Sequence, residues 1–285
     1  MKISKKSLLY TTYLIGITGF FLYYLFPSDP LKTYLAYRLS QGNPDITVTI
    51  DRVSPVLPPG INLHEVGIVY RNEALIDLDR IKIMPGILSL FNNKTTVNFK
   101  GRVNAGTFSG RMELGDNSGG QEVKCDGRIA GIQVQGIPAM QRLPADNISG
   151  VLNGNFTYAK AGPNRSIEGN LTLSQCRIEL NNAVFSLKSL EFRNIAADLM
   201  LKNDTLTIRH TRAKGNQLDA DLTGTIGLTG KNALNLTVSV TPHHLLLAKI
   251  EKSLPMDFLR NKKAGKEAIS FKIDGALDEP GFSLN

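Results

Sequence analysis

Leu234-Asn235-Leu236-Thr237-Val238-Ser239-Val240 decides the fold: every second residue is apolar, and the residues between are small and polar. Successive side chains of a strand point to opposite faces, so this stretch has one greasy side and one wet side. The same period of two recurs through most of the chain. It runs through Ile46, Val48 and Ile50, then Ile61 and Leu63, then Val66, Ile68 and Tyr70. It continues in Leu75, Ile76, Leu78, Ile81 and Ile83, in Val97-Asn98-Phe99, in Leu171-Thr172-Leu173 and in Leu206-Thr207-Ile208. Roughly 13 to 15 such runs follow residue 43, separated by Gly and Asn-Gly turn signals that suit antiparallel hairpins and meanders. The expected fold is all-β. An N-terminal transmembrane helix leads into a long, mostly antiparallel, curved or grooved sheet accompanied by two short helices.

A one-sided sheet of this length either closes into two packed layers or curls and leaves an apolar groove. With 12 Phe, 8 Tyr and no Trp, the buried side is mostly Leu, Ile and Val. An aliphatic face suits a sandwich core and suits acyl chains, and composition does not choose between them. If the face lines a groove, the inward positions Leu222, Ile226, Leu236, Val238, Phe271 and Ile273 are the candidate lining residues.

Working back to the N-terminus, the chain carries no charge from Ser7 to Ser28, with an apolar body over 8–26. As a helix rising ~1.5 Å per residue that body covers ~28 Å, near the ~30 Å hydrocarbon thickness of a bilayer. No small-x-small cleavage site follows Phe26, and Tyr10, Tyr13, Tyr23 and Tyr24 cluster towards its ends, so an uncleaved anchor is expected rather than a signal peptide. Lys2, Lys5 and Lys6 predict a cytoplasmic stub over 1–7 and translocation of the rest, although Lys32 and Arg38 lie close on the other side. Asp29 and Pro30 read as a helix start, and Leu31, Tyr34, Leu35 and Leu39 share one face. A short amphipathic helix over 29–42 is therefore expected, either at the membrane interface or packed on the β-rich domain, which spans 43–285.

The formal net charge of +8 is scattered, with no basic run interleaved with aromatics, so nucleic acid is not an expected partner. A mild attraction to anionic lipid headgroups is compatible with it. Cys125 and Cys176 have neither metal-site spacing nor a companion His pair. They are either two small residues on a pleated surface or, in an oxidising compartment, a disulfide. A weak repeat links Ile148-Ser149-Gly150-Val151-Leu152-Asn153-Gly154 to Ile269-Ser270-Phe271-Lys272-Ile273-Asp274-Gly275. Upstream of each lie a strand ending in Val134 or Val240 and a helix-like piece with a Leu-Pro, Leu143-Pro144 or Leu254-Pro255. The second such piece is a helix expected over about His243 to Ser253, and the repeat boundary falls near 160.

The anchor, Asn43-Pro44-Asp45-Ile46-Thr47-Val48-Thr49-Ile50-Asp51-Arg52-Val53 and Pro58-Pro59-Gly60-Ile61-Asn62-Leu63-His64-Glu65-Val66 resemble the start of type II secretion system protein N, in its AsmA-like branch. The runs Leu218 to Leu228 and Ile273 to Leu284 are similar to AsmA-like strands. The resemblance covers nearly the whole chain through loose strand patterns. It implies a single-pass protein of the bacterial inner membrane, its bulk periplasmic, serving protein secretion as a structural or adaptor component among other secretion-system proteins. Its AsmA-like side implies a β-groove that shields phospholipid between the inner and outer membranes.

No P-loop, Gly-x-Ser-x-Gly or His-Glu-x-x-His occurs. His64, His210, His243 and His244 are the only histidines, and the adjacent pair would point to different faces of a helix. Asp77, Asp79, Glu113, Asp219 and Asp221 are isolated strand or turn acids. No catalytic, cofactor-binding or metal-ligating residue is expected, and no cofactor.

Overall fold

A computed structural model describes residues 5–41, 45–57, 60–86, 94–117, 120–142, 147–184, 187–229, 233–244, 246, 268–276 and 280–284. The chain forms two compact units, Met1–Met84 and Pro85–Asn285. The first holds helices α1 (Lys5–Tyr24) and α2 (Ser28–Ser40) and strands β1 (Ile46–Val56), β2 (Gly60–Tyr70) and β3 (Glu73–Pro85). The second holds β4 (Lys94–Val103), β5 (Gly106–Asn117), β6 (Gly120–Gln133), β7 (Asn147–Ala161), β8 (Asn164–Val184) and β9 (Leu187–Lys202). It continues with β10 (Thr205–Gly215), β11 (Leu218–Gly227), β12 (Ala233–Pro242), β13 (Ile269–Ala276) and β14 (Pro280–Leu284). Within each unit every strand pairs antiparallel with its chain neighbours, so each unit is an open meander in sequence order.

The phase of the alternation explains the first sheet. Apolar residues sit at 46, 48 and 50 on β1, then at 53, and the same slip occurs between Val66 and Leu63 on β2 and between Leu78 and Ile81 on β3. Ile50 pairs Val66 and Val66 pairs Leu78; Val53 pairs Leu63 and Leu63 pairs Ile81. All three strands slip at the same level, so pairing stays in step while Ile50, Val53, Leu63, Val66 and Leu78 stay buried. At the slip Glu65 adopts φ 49°, a left-handed conformation that costs an L-residue about 1–2 kcal/mol. A one-residue slip in one strand alone would put half its apolar side chains in water.

α2 packs along β1, whose other side carries β2. The Ser28 hydroxyl donates to the Val53 carbonyl, and the Val48 N–H donates to Ser40 Oγ at 2.9 Å. The two serines lie ~18 Å apart along a helix and the two strand groups ~17 Å apart along an extended chain, so the spans match. The helix runs antiparallel to the strand and covers an edge that would otherwise offer itself for pairing. Of the apolar face read from sequence, Leu31 and Leu35 are half-buried, whereas Tyr34 is 55% and Leu39 51% exposed. The hydrogen bonds to β1 come from Ser28 and Ser40, twelve residues apart, which sequence hydropathy does not pick out. The helix begins at Ser28, so Asp29 sits in its first turn and is not its cap.

The expected transmembrane helix over 8–26 needs correction. α1 begins at Lys5, includes Lys6, and stops before Leu25 and Phe26. No helix among the described residues is long and apolar enough to cross a membrane. The reason is dilution: the helix takes in two lysines, four tyrosines, three threonines and two glycines, and leaves out two of the apolar residues that complete the 19-residue body.

In the second unit most connections are tight. Asn104-Ala105, Gly162-Pro163, Asn203-Asp204 and Asn216-Gln217 each turn the chain in two residues. The positive φ values of Asn104 and Ala105, like those of Arg71 and Asn72 in the first unit, match the primed hairpin turn favoured by strand twist. β6 and β12 end at the same rim of the meander, and the longer connections, 134–146 and 243–268, leave from there. The first carries 3-10 turns at Val134–Gly136 and Met140–Arg142 packed on β7, in place of the helix-like piece expected there. Most of the second lies outside the described residues: of the helix expected over 243–253 only His243, His244 and Leu246 are described, Leu246 being buried, and Leu254-Pro255 lies outside them, as does Leu143-Pro144.

At Gly224 the chain cannot carry a side chain: φ is +137°, and a Cβ would lie 2.1 Å from the Asn235 carbonyl oxygen and 2.8 Å from Leu236 Cα. Gly224→Ala is expected to destabilise the chain by about 1–3 kcal/mol in denaturant unfolding, because backbone must move. Gly227→Ala, whose Cβ meets Ala233 atoms at 3.5 Å or more, is expected within about 0.5 kcal/mol of the parent. Ser40→Ala removes the acceptor of the Val48 amide. Its hydrogen exchange is expected to accelerate roughly fivefold, the value of about 1 kcal/mol for one such bond.

Candidate functional site

The register of β4–β14 stacks residues into rows that cross all of these strands. One row runs Gly101, Phe108, Ile129, Gly154, Leu171, Ala197, Thr211, Leu222, Val238, Phe271 and Leu284, each paired with the next. The row two residues along starts at Phe99 and ends Leu199, Ile208, Gly224, Leu236, Ile273, Phe282. The third starts at Val97 and includes Met112, Cys125, Tyr158, Ile167, Leu201, Leu206, Ile226 and Leu234. No residue of the three rows is charged. With strands ~4.8 Å apart, the eleven strands give a band ~48 Å long, longer than one extended fatty acyl chain.

The opposite face is wet. Arg111 pairs with Glu113, Lys124 with Asp126, Arg209 with Glu168 and Asp198, Arg212 with Asp221 and Lys272 with Asp274. These are exposed ion pairs of about 0–1 kcal/mol each, which keep this face in water and contribute little to stability. On the apolar face Cys125, Cys176, Phe192, Ile208, Ala213, Leu234 and Leu236 are buried, and the rest of the band is mostly half-buried. Two buried clusters form by lateral packing: Cys176, Phe192 and Ala213 across β8–β10, and Ile208, Leu234 and Leu236 with Leu199, Leu222, Ile226 and Ile273 across β9–β13. Each contains residues of neighbouring strands in one sheet, with no described second layer contributing.

Phenylalanines lie flat over glycines of the adjacent strand. A Cβ on Gly101 would meet the Phe108 ring at 2.1 Å, one on Gly110 the Phe99 ring at 2.5 Å, and one on Gly127 the Phe156 ring at 2.3 Å. Each is a directly opposed pair. Rings that lie along the floor leave the space above it open, and such aromatic–glycine pairs pin register in curved sheets.

All six candidate lining residues fall on this face: Leu222, Val238 and Phe271 in one row, Leu236 and Ile273 in the next, and Ile226 in the third. Leu236 is buried and the other five are half-buried. Sequence reading missed the extension of the face through β4–β10 and the part played by its glycines. The recurrence of Gly two residues from Phe or Leu at 99–110 and 154–171 was the available signal.

Cys125 shares its row with Ile167, and Cys176 lies nine residues further along β8, or ~30 Å along an extended strand. Both are free and buried, and the separation far exceeds the ~7 Å that a disulfide tolerates between Cα atoms. Burial raises both thiols above their ordinary value, Asp126 adding to it at Cys125. His210 lies 3.8 Å from Asp221 and His243 3.5 Å from Asp219. Among the described residues no group of three or more His, Cys, Asp or Glu is arranged to hold a metal ion.

In the first unit His64 stands between Arg52 and Arg80 in register and its Nε2 lies 3.1 Å from Ser54 Oγ. Burial first, then the two arginines, lower its pKa below the ordinary 6.5. The unfolded chain therefore takes up the proton first as pH falls. Stability held by neutral His64 is complete above about 6.5 and is lost as pH falls from there through the lowered value. His64→Gln is expected to flatten that part of the unfolding free-energy profile between pH 7.5 and 5, measured by urea titration.

No family model, characterised protein or solved structure matches this chain.

Proposed function

We propose that this chain is a non-enzymatic, membrane-associated protein that holds the acyl chains of lipid along the apolar face of β4–β14. The observation that carries this reading is the set of three uncharged rows spanning eleven strands, mostly half-buried. Moving each lipid methylene from water onto such a surface gains about 0.8 kcal/mol, so a short stretch of chain suffices for binding. The half-buried state is the relevant one. A closed core would leave no surface to gain, and a fully exposed band of this size would associate without selectivity.

Membrane association is supplied by α1, whose Leu9, Leu14, Phe20 and Phe21 are exposed alongside Tyr10, Tyr13, Tyr23 and Tyr24. Apolar residues exposed together on one helix mark a contact with membrane or protein, and tyrosines among them suit the headgroup level. The exposed apolar residues of α1 support placement at the bacterial inner membrane, and Lys5 and Lys6 beside them suit its anionic headgroups. A type II secretion role has its support in the strand patterns near the N-terminus, and the same topology serves it. The open apolar face is the feature for which a pure adaptor has no use, and it favours the AsmA-like, lipid-carrying reading.

Photo-crosslinking residues placed at 222, 238 and 271 are expected to yield lipid adducts by mass in cells. Adducts confined to the chain itself would mean a closed core and overturn the reading. The variant Leu222→Asp/Phe271→Asp is expected to keep its β-sheet circular dichroism and lose those adducts several-fold. In a closed core each unpaired buried carboxylate would instead cost several kcal/mol and unfold the chain.

A further inference from the structure

The face opposite the apolar rows places its charges with care. Arg111 is opposed to Asp126, Glu113 to Lys124, Arg177 to Glu191, Arg212 to Asp221 and Lys214 to Asp219, all of opposite sign. Among the described residues of β4–β14, one directly opposed pair breaks the rule: Lys160 on β7 faces Arg165 on β8. Like charges in this position repel, and folding gains nothing from them. The pair lies two residues along from Tyr158 and Ile167 on the same strands, so it belongs to the apolar face and stands one residue pair beyond the third row, at the β7–β8 hairpin. Both residues are exposed. Arg165 Nη2 lies 3.5 Å from Asp204 Oδ1, an ion pair that uses one of its guanidinium nitrogens. Beside them Ile167 is 41% exposed on the apolar side.

We propose that Lys160 and Arg165 form the headgroup site of the groove, taking the phosphate of an anionic lipid whose tail lies over Tyr158, Ile167 and the rows beyond. This rests on the lipid-binding reading above and names the class of lipid. An anion between the two cations replaces repulsion with two charge-assisted hydrogen bonds. The uncharged rows begin one residue pair away, as the polar–apolar junction of a phospholipid requires. Chemistry of this kind serves a phosphomonoester or phosphodiester equally, and a free phosphate is the competing source of the same group.

The test uses the purified full-length chain and two fluorescent lipids with identical acyl chains, phosphatidate and diacylglycerol. The parent is expected to bind phosphatidate several-fold more tightly. Lys160→Gln/Arg165→Gln is expected to bring phosphatidate to the diacylglycerol level and leave diacylglycerol unchanged. Lys100→Gln/Arg102→Gln, the same charge change at exposed positions on the opposite face of β4, is expected to keep the preference. Equal binding of both lipids by the parent, or a preference that survives in the Lys160/Arg165 variant, overturns the headgroup site. Protection of Lys160 from acylation by inorganic phosphate as effectively as by phosphatidate makes it a site for the free anion and overturns it as well. Failure to bind either lipid defeats the lipid-binding reading itself, a result distinct from loss of headgroup preference alone.

Discussion

The structure depends on keeping one face of each meander apolar over many strands without a described second layer to enforce it. Each strand pairs only with its chain neighbours, so a register error in one hairpin would pass to the next and turn an apolar row into water. In the first unit β1, β2 and β3 slip phase together around Asp51, Glu65 and Asp79, and the pairs on both sides remain apolar with apolar. In the second unit irregularities occur at Ile129/Ile132 on β6, Ser149/Val151 on β7 and Ile208/Thr211 on β10. After each the next apolar residue returns to the same side. Coordinated slips of this kind cost backbone strain at residues such as Glu65 and Gln175. They preserve the one-sidedness on which burial depends.

The packing of that side follows from its small residues. Glycines at 101, 110 and 127 allow a ring from the next strand to lie against the backbone, pairs that pin register. In the buried clusters on β8–β13, apolar residues of adjacent strands pack against one another. The edges are treated differently. α2 closes β1 with two serine hydroxyls, whereas β14 is short, begins at Pro280 and leaves Phe282 73% exposed. Proline at an edge strand removes a donor that a foreign strand would use.

The same one-sidedness carries the functional reading. An aliphatic band that is wide, uncharged and half-buried is a solvent for hydrocarbon, and the charge-balanced opposite face keeps the protein dispersed in water. Lys160 opposite Arg165, on the apolar face itself, lies one residue pair beyond the third row. In the proposed reading, tail and head are recognised by different physics on neighbouring residues, dispersion and desolvation for the one, directed hydrogen bonds for the other.

The sequence by itself determined the strands, because period-two alternation is a local property that needs only neighbouring residues to be read. It also marked Leu222, Ile226, Leu236, Val238, Phe271 and Ile273 as belonging to apolar faces, and the slips between Leu63 and Val66 and between Leu78 and Ile81 are visible in it. It misled where hydropathy was asked to define extent: α1 takes in Lys5 and Lys6 and stops short of Leu25, and α2 turns Tyr34 and Leu39 outwards. Tertiary structure alone decided which strands adjoin and in what register. Hence it alone decided that Cys125 and Cys176 stand far apart, that phenylalanines cover glycines, and that Lys160 meets Arg165. Those are relations between residues on different strands, set by hydrogen-bond register and twist, and alternation along one strand carries no information about its neighbour.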